Sequence, residues 1–157
     1  MKSFPVILFV LLTGFGCGRF LAVVRRHTEI DRPVTATEMV GTWVLTTNSL
    51  AHLRVDGFMP NAGEHLGFIV RSNGSYSSHT VSPRVSGSKH VVERTVEEGT
   101  WSLAYNRTNV HRNTLFLRTA QDGVSYVQIA LNADRLVLWK SWDDPDDGID
   151  LVFEKRR

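Results

Sequence analysis

The stretch "GTWVLTT", residues 41–47, decides the fold that this chain is expected to adopt. Trp43 and Leu45 fall on one face of an extended strand, and Thr42, Val44 and Thr46 fall on the other. Alternation with period two, in a segment rich in aromatic and β-branched residues, is typical of a half-buried strand. The same tripeptide opens "GTWSLAY", residues 99–105, which predicts a second strand of this kind.

Six further segments show this alternation, at 65–71, 75–81, 114–119, 124–131, 135–142 and 150–155. Turn residues separate them, including Asn73 with Gly74 and the "AQDG" stretch at 120–123. Asn-Gly favours a hairpin because both turn residues must tolerate positive φ. The sequence therefore predicts an all-β fold, an eight-stranded antiparallel up-and-down sheet. Closure into a barrel removes the edges that such a sheet would expose.

Two stretches of the predicted barrel depart from the simple alternation. Residues 48–64 place Leu50, Leu53 and Val55 at a loose helical spacing, which predicts a short helix or lid between the first two strands. Residues 82–98 are expected to extend the third or fourth strand around an "SGS" tip.

One helical turn is also possible just before the first strand. Thr35 and Glu38 have the spacing of a capping box, in which each satisfies a backbone group of the other. The alternative is that this stretch is an irregular linker and that the spacing of Thr35 and Glu38 is a coincidence.

Length and charge restrict the classes of protein to consider. The chain has 157 residues, enough for one domain, and one cysteine, which cannot form an internal disulfide. Its net charge is +2 with no long basic or acidic block, so we expect no nucleic-acid partner. We find no G-x-S-x-G elbow and no metal-binding spacing among the six histidines. We therefore expect no catalytic site, no metal and no cofactor.

The N-terminal segment is typical of an exported protein. Lys2 precedes an uncharged apolar run at 4–12, and glycines follow at 14, 16 and 18. A charged start, a short apolar run and small residues describe a secretory signal peptide, and the run is well short of the ~20 residues that span a bilayer. We predict a signal peptide at 1–16, a tether at 17–39 and a barrel domain at 40–157.

Gly16 and Cys17 resemble the lipobox of bacterial lipoproteins. The resemblance implies that Cys17 carries acyl chains such as palmitate, which anchor the protein to a membrane of the cell envelope. Two alternatives remain. In one, Cys17 is discarded with the signal peptide, which leaves a secreted or periplasmic soluble protein. In the other, the apolar run extends to Val24 as an uncleaved anchor, with Arg19 within it.

Four segments resemble the lipocalin-like small β-barrels of bacteria: "VGTW" at 40–43, "SNGSY" at 72–76, "GTWSL" at 99–103, and "LVLWKS…LVFEK" within 136–155. The resemblance implies that Trp43 packs across a closed barrel base, against a basic side chain from the last strand. Lys155 and Arg156 are the two candidates for that side chain.

Aromatic residues of the predicted strands are the candidates for contacting a ligand inside the barrel: Trp43, Tyr76, Trp101 and Tyr126, with Trp139 as a further lumen candidate. An eight-stranded barrel is either filled by its own side chains or holds one small ligand, and the sequence does not choose between them. The leading function is therefore binding of a small apolar ligand near a membrane. The alternative is a solid-cored barrel that acts as a protein-interaction module. No oligomeric state is indicated.

The "DDPDDGID" loop, residues 143–150, contains five aspartates. Hard oxygen ligands in a tight loop suit Ca²⁺. The same residues are also typical of a solvated hairpin turn. Both interpretations remain open at the level of the sequence.

Overall fold

The computed structural model describes residues 27–55, 57–86, 89–108, 112–142 and 150–156. The predicted signal peptide, Cys17 and most of the aspartate loop lie outside these ranges. Within the described part of the chain, neither helix has the length and hydrophobicity that crossing a bilayer requires.

Eight strands close into one barrel, in which each strand pairs antiparallel with the next and the last pairs with the first. The predicted all-β, up-and-down fold is confirmed. The elements in chain order are α1 Ala36–Met39, β1 Gly41–Leu45, α2 Thr47–Val55, β2 Gly67–Val70, β3 Ser75–Ser86, β4 Lys89–Tyr105, β5 Asn113–Thr119, β6 Val124–Asn132, β7 Arg135–Ser141 and β8 Asp150–Lys155.

The hairpin predicted from Asn73 and Gly74 joins β2 to β3. Gly74 has φ of 83°, which a residue with a Cβ rarely adopts. The side chain of Asn73 accepts a hydrogen bond from the backbone N–H of Ser75, at 3.0 Å. The turn therefore uses the backbone freedom of glycine and the local hydrogen bond of asparagine together.

The long hairpin of β3 and β4 extends beyond the barrel wall, as predicted for residues 82–98. The pairing of β2 with β3 ends at His79, and the pairing of β5 with β4 begins at Gly99. Residues 80–86 and 89–98 therefore form a two-stranded projection, here called the arm. At Gly99 a Cβ would lie 1.9 Å from the carbonyl oxygen of Arg118, so only glycine permits the close approach where the arm leaves the wall.

One end of the barrel is closed by residues 28–34, here called the strap. Thr28 and Leu131 exchange two backbone hydrogen bonds, of 2.8 and 2.9 Å, which continue the sheet past the start of β5. Ile30 and Val34 of the strap are buried in the core. The strap leads into α1, where Thr35 and Glu38 form the predicted capping box. We call this the strapped end.

The opposite end is covered by α2 and residues 57–66, here called the connector. The predicted short helix between β1 and β2 is confirmed. Leu53 of α2 is buried, as are Phe58 and Leu66 of the connector, and all three belong to the core cluster. Ser49 ties α2 to β8, because its hydroxyl accepts from the N–H of Val152 at 2.9 Å. We call this the helix-capped end.

Candidate functional site

Trp43 lies at the strapped end and is fully buried. Its indole N–H donates to the carbonyl oxygen of Met39 at 2.9 Å. The Nζ of Lys155 lies 5.7 Å from the ring centroid and donates to the carbonyl oxygen of Glu38 at 2.8 Å. Lys155, the residue paired with Trp43 across β1 and β8, is therefore the basic side chain that covers this tryptophan. The site is a structural plug.

Tyr76 and Ser78 lie two residues apart on β3, with exposures of 1% and 4%. The Tyr76 hydroxyl and the Ser78 Oγ are buried, and neither has a hydrogen-bond partner among the described residues. Burial raises the pKa of Tyr76, and the nearby charge of Glu97 adds to the effect. These two hydroxyls are therefore buried polar groups that the described residues leave without a hydrogen bond.

Tyr126 does not line the interior. Its side chain is 61% exposed, so the prediction that Tyr126 lies inside the barrel, where it could contact a ligand, is wrong. The physical reason lies in β6, where Val127 and Ile129 fill the core and leave Tyr126 on the outer face.

Trp101 is half-buried at the margin of the core, and its indole N–H donates to the carbonyl oxygen of Arg71 at 2.9 Å. Trp139 belongs to a different cluster from the main core. The predicted aromatic residues are therefore not gathered around one lumen. Trp43 and Tyr76 are inside, Trp101 is at the margin and Tyr126 is on the surface.

Large apolar side chains from the barrel wall and from both of its ends pack together inside the barrel. The most completely buried include residues from the strapped end, the wall and the helix-capped end: Met39, Trp43, Leu53, Leu115, Leu117, Ile129, Leu138, Leu151 and Phe153. The rings of Phe68 and Phe153 meet edge to face, with centroids 4.8 Å apart. Such contacts are typical of a close-packed core.

Two open clefts lie on the outer surface at the rim of the helix-capped end. One, of about 540 Å³, lies beside the start of α2 and is lined in part by His65 and Arg156. The other, of about 420 Å³, lies between the arm and the turn that joins β5 to β6. Val96, Glu97 and Glu98 line its arm side.

Glu64 of the connector holds the arm against the helix-capped end. Its side chain is 4% exposed, with the Nε of Arg94 at 2.8 Å and the Nε2 of His79 at 3.2 Å. The hydrogen bond from Arg94, assisted by the N–H of Asn61, lowers the pKa of Glu64 to about 2. The guanidinium of Arg94 also lies 4.9 Å from the ring centroid of Phe58.

Glu38 is the corresponding ion-paired carboxylate at the strapped end. It accepts two hydrogen bonds from Arg32, at 2.6 and 3.0 Å. These bonds, with the N–H of Thr35, lower the pKa of Glu38 to about 2. Both carboxylates are therefore ionised at neutral pH and act as structural ties.

A small apolar cluster on the outer wall was not predicted from the sequence. It comprises Ala130, Val137 and Trp139, with Val152 packed against them. The ring of His27 stacks on Trp139 with centroids 6.0 Å apart. Burial lowers the pKa of His27, and the charges of Asp150 and Glu29 oppose that shift. The chain thus enters the described structure along the wall formed by β6, β7 and β8.

Within the described ranges, no group of three or more His, Cys, Asp or Glu side chains is placed so that it could hold a metal ion. Of the aspartate loop, only Asp150 lies within those ranges, so the choice between a Ca²⁺ site and a solvated turn falls outside the described residues. Comparisons of the chain with protein-family models, with curated proteins and with solved structures returned no match.

Proposed function

We propose that this protein is a non-catalytic interaction module of the cell envelope: an exported, lipid-anchored barrel with a solid core, whose surface recognises another protein. The observation that carries the proposal is the cluster of large apolar side chains that pack together inside the barrel. Trp43 and Met39 plug the strapped end, and Leu53 covers the other.

A barrel that binds a ligand inside needs space for it. Small-molecule sites are typically cavities of ~300–1,000 Å³. The two clefts of comparable size described above lie on the outer surface, and the inward side chains of the wall pack against one another. A surface function is therefore favoured over a function of the lumen.

The anchor is the second part of the proposal and rests on the sequence. A lipidated Cys17 would hold the barrel at a membrane through the part of the predicted tether that precedes the strap. We expect the mature protein to begin at Cys17 and to carry added acyl mass. The test is intact-mass spectrometry with membrane fractionation of the wild type and of Cys17→Ser. Unchanged fractionation of Cys17→Ser, or a mature mass without acyl chains, would overturn this part.

The solid core is tested with a panel of fluorescent fatty-acid probes and a thermal melt. We expect no probe binding and no change in Tm. A ligand present at 100 times its Kd would stabilise the barrel by about 2.7 kcal/mol, a shift of several degrees. Such a shift would overturn the proposal.

A cavity variant shows that the assay can detect binding in the core. Leu117→Ala removes buried volume, and an apolar cavity of this kind binds small apolar molecules. We expect benzene to raise the Tm of Leu117→Ala and to leave the Tm of the wild type unchanged.

Ligand binding inside the barrel is the second candidate, and the buried hydroxyls of Tyr76 and Ser78 favour it. A small ligand with a polar group would satisfy them if α2 moved aside to admit it. Tyr76→Phe removes one hydroxyl and keeps the ring. A probe that binds the wild type and loses affinity for Tyr76→Phe would support this candidate over the interaction module.

A further inference from the structure

The arm has an open edge along β4. Within the described residues, β4 pairs with β3 over the full length of the arm, whereas its pairing with β5 begins only at Gly99. Residues 89–98 therefore have a neighbouring strand on one side. An edge of this kind presents a row of N–H and C=O groups to which another strand can bind.

The hydrogen bonds at the base of β4 show which residues face this edge. The N–H of Trp101 donates to Gly74, on the β3 side, and the N–H of Asn106 donates to Arg112, on the β5 side. In an antiparallel ladder both backbone groups of a residue point to the same side, and the side alternates along the strand. The even-numbered residues Val92, Val96 and Glu98 therefore direct their N–H and C=O groups to the open edge, as does Arg94.

The other edge of the arm is blocked. On β3 the odd-numbered residues face away from β4, as Ser75 does when its carbonyl oxygen accepts from the N–H of Arg71. Pro83 is one of these residues and has no N–H to offer. A proline at an edge is a known protection against unwanted strand pairing. The β3 edge of the arm is thus protected by a proline, whereas the residues that face the β4 edge all have backbone N–H groups.

The surroundings of the β4 edge combine apolar surface with negative charge. Val96 is 72% exposed and Val124, across the 420 Å³ cleft, is 57% exposed. Glu97 and Glu98 line the same cleft. An occupant would meet an apolar floor and two carboxylates.

We propose that the open edge of β4 binds an extended, basic segment of a partner protein as an added antiparallel or parallel strand. Main-chain hydrogen bonds supply the affinity in this mode of recognition, and alternate side chains supply the specificity. A lysine or arginine side chain would pair with Glu97, and its apolar neighbour would lie on the opposite face beside Val96, where Glu98 adds to the negative potential. This inference rests on the proposed role of the barrel as an interaction module.

The test uses the full chain and a defined probe, an acetylated and amidated ten-residue peptide of alternating valine and lysine. Fluorescence anisotropy measures its binding, and amide hydrogen exchange by NMR locates it. We expect slower exchange at Val92, Arg94, Val96 and Glu98, and little change at the intervening residues, whose amides already bond to β3. The same peptide with N-methylated backbone amides keeps its charge and cannot add as a strand. Equal binding of both peptides would overturn the proposal.

A pair of variants at Val96 separates strand addition from simple charge attraction. Val96→Pro removes an N–H that faces the open edge and breaks no bond to β3. Val96→Thr keeps the N–H and a similar shape. We expect Val96→Pro to weaken binding of the lysine peptide by about tenfold or more, because one main-chain hydrogen bond is lost. We expect Val96→Thr to leave the affinity nearly unchanged. Unaltered affinity in Val96→Pro would contradict the proposal.

Glu97→Gln combined with Glu98→Gln tests the preference for a basic segment. We expect weaker binding and a smaller dependence on salt, since screening acts on exposed charges. An alternating valine and glutamate peptide that binds as well as the lysine peptide would overturn the assigned chemistry.

The two levels of the proposal fail separately. If the lysine peptide does not bind and fatty-acid probes still leave the Tm unchanged, the β4 edge is not the docking surface, and the interaction module stands. If a fatty-acid probe stabilises the barrel, the interaction module itself is overturned.

Discussion

The two ends of the barrel are closed by different kinds of interaction. At the strapped end, Asn113 accepts from the N–H of Val34 at 2.9 Å and donates to the carbonyl oxygens of Ile30 and Arg32 at 3.1 and 3.0 Å. At the helix-capped end, α2 and the connector are held by apolar contacts of Leu53 and Phe58, by the hydrogen bond from the N–H of Val152 to Ser49, and by ion pairs at the rim.

This difference indicates how each end should respond to perturbation. A buried polar group that loses its partner costs about 1–3 kcal/mol, and its hydrogen bonds require a particular direction, so the strap is tied to one geometry. A short helix held by a few apolar side chains can open locally while the barrel remains folded. The strapped end should therefore unfold with the whole barrel, and the helix-capped end should open first.

Replacement of Trp43 should give the largest effect. We expect Trp43→Ala to lower the free energy of unfolding by about 3–5 kcal/mol, because it empties a fully buried site and removes the donor to Met39. Urea denaturation measures the change. Trp43→Phe refills part of the volume and should lose less. A loss below about 1 kcal/mol for Trp43→Ala would show that the strapped end does not control global stability.

Truncation of Leu53 tests the other end. We expect Leu53→Ala to cost about 2–3 kcal/mol, the lower part of the range for buried leucines, because release of α2 limits the loss. Hydrogen exchange should become faster in α2 and remain slow in β5 and β6. Val55→Ala, at an exposed position of the same helix, is the matched control and should have little effect. Uniformly faster exchange throughout the barrel would contradict local opening.

The strap is tested through Asn113. We expect Asn113→Ala to cost about 1–3 kcal/mol, since it leaves buried groups of Val34, Ile30 and Arg32 without their partner. Asn113→Asp keeps the acceptor for Val34 and loses the two donors, so its effect on the amide exchange of Val34 should be smaller. Equal protection of Val34 in wild type and Asn113→Ala would exclude the role assigned to this side chain.

Acid should produce the smallest and most gradual change. The pKa of Glu64 is about 2 in the folded chain and 4.5 in its ordinary state. A lowered pKa means that the carboxylate contributes stability above pH 4.5 and that this contribution is lost as the pH falls towards 2. Glu64→Gln should therefore reduce the difference in unfolding free energy between pH 7 and pH 3.

Glu38→Gln is the comparison for the strapped end, where the folded pKa is also about 2. The exchange of α2 and connector amides should become less sensitive to acid in Glu64→Gln, and that of strap amides in Glu38→Gln. The same response in both regions would show that the two ends are coupled.

The fold followed closely from local patterns in the chain. Alternation located the strands, and Asn73 with Gly74 located a hairpin, because turn chemistry and side-chain period act over a few residues. The capping box of Thr35 and Glu38 was visible for the same reason. For the basic side chain against Trp43, the sequence left Lys155 and Arg156 open, and the structure places Lys155 there.

Features that depend on distant contacts were not predictable in this way. The strap is held by Asn113, which lies 79 positions from Val34 in the chain. The error at Tyr126 has the same origin: the segment around it offers apolar residues on both faces, and the packing of Val127 against the core decides which face points inward. The open edge of β4 becomes visible only when the pairing of β5 is known to stop at Gly99.

The place where the chain enters the barrel has a consequence for orientation. In a closed ring of eight strands, β7 and β8 lie diametrically opposite β3 and β4. His27 packs on the β7 side, and Cys17 precedes it by only ten positions, a reach of roughly 35 Å when extended. A lipid at Cys17, as proposed, would therefore lie within that distance of the wall formed by β7 and β8, which is opposite the wall from which the arm extends.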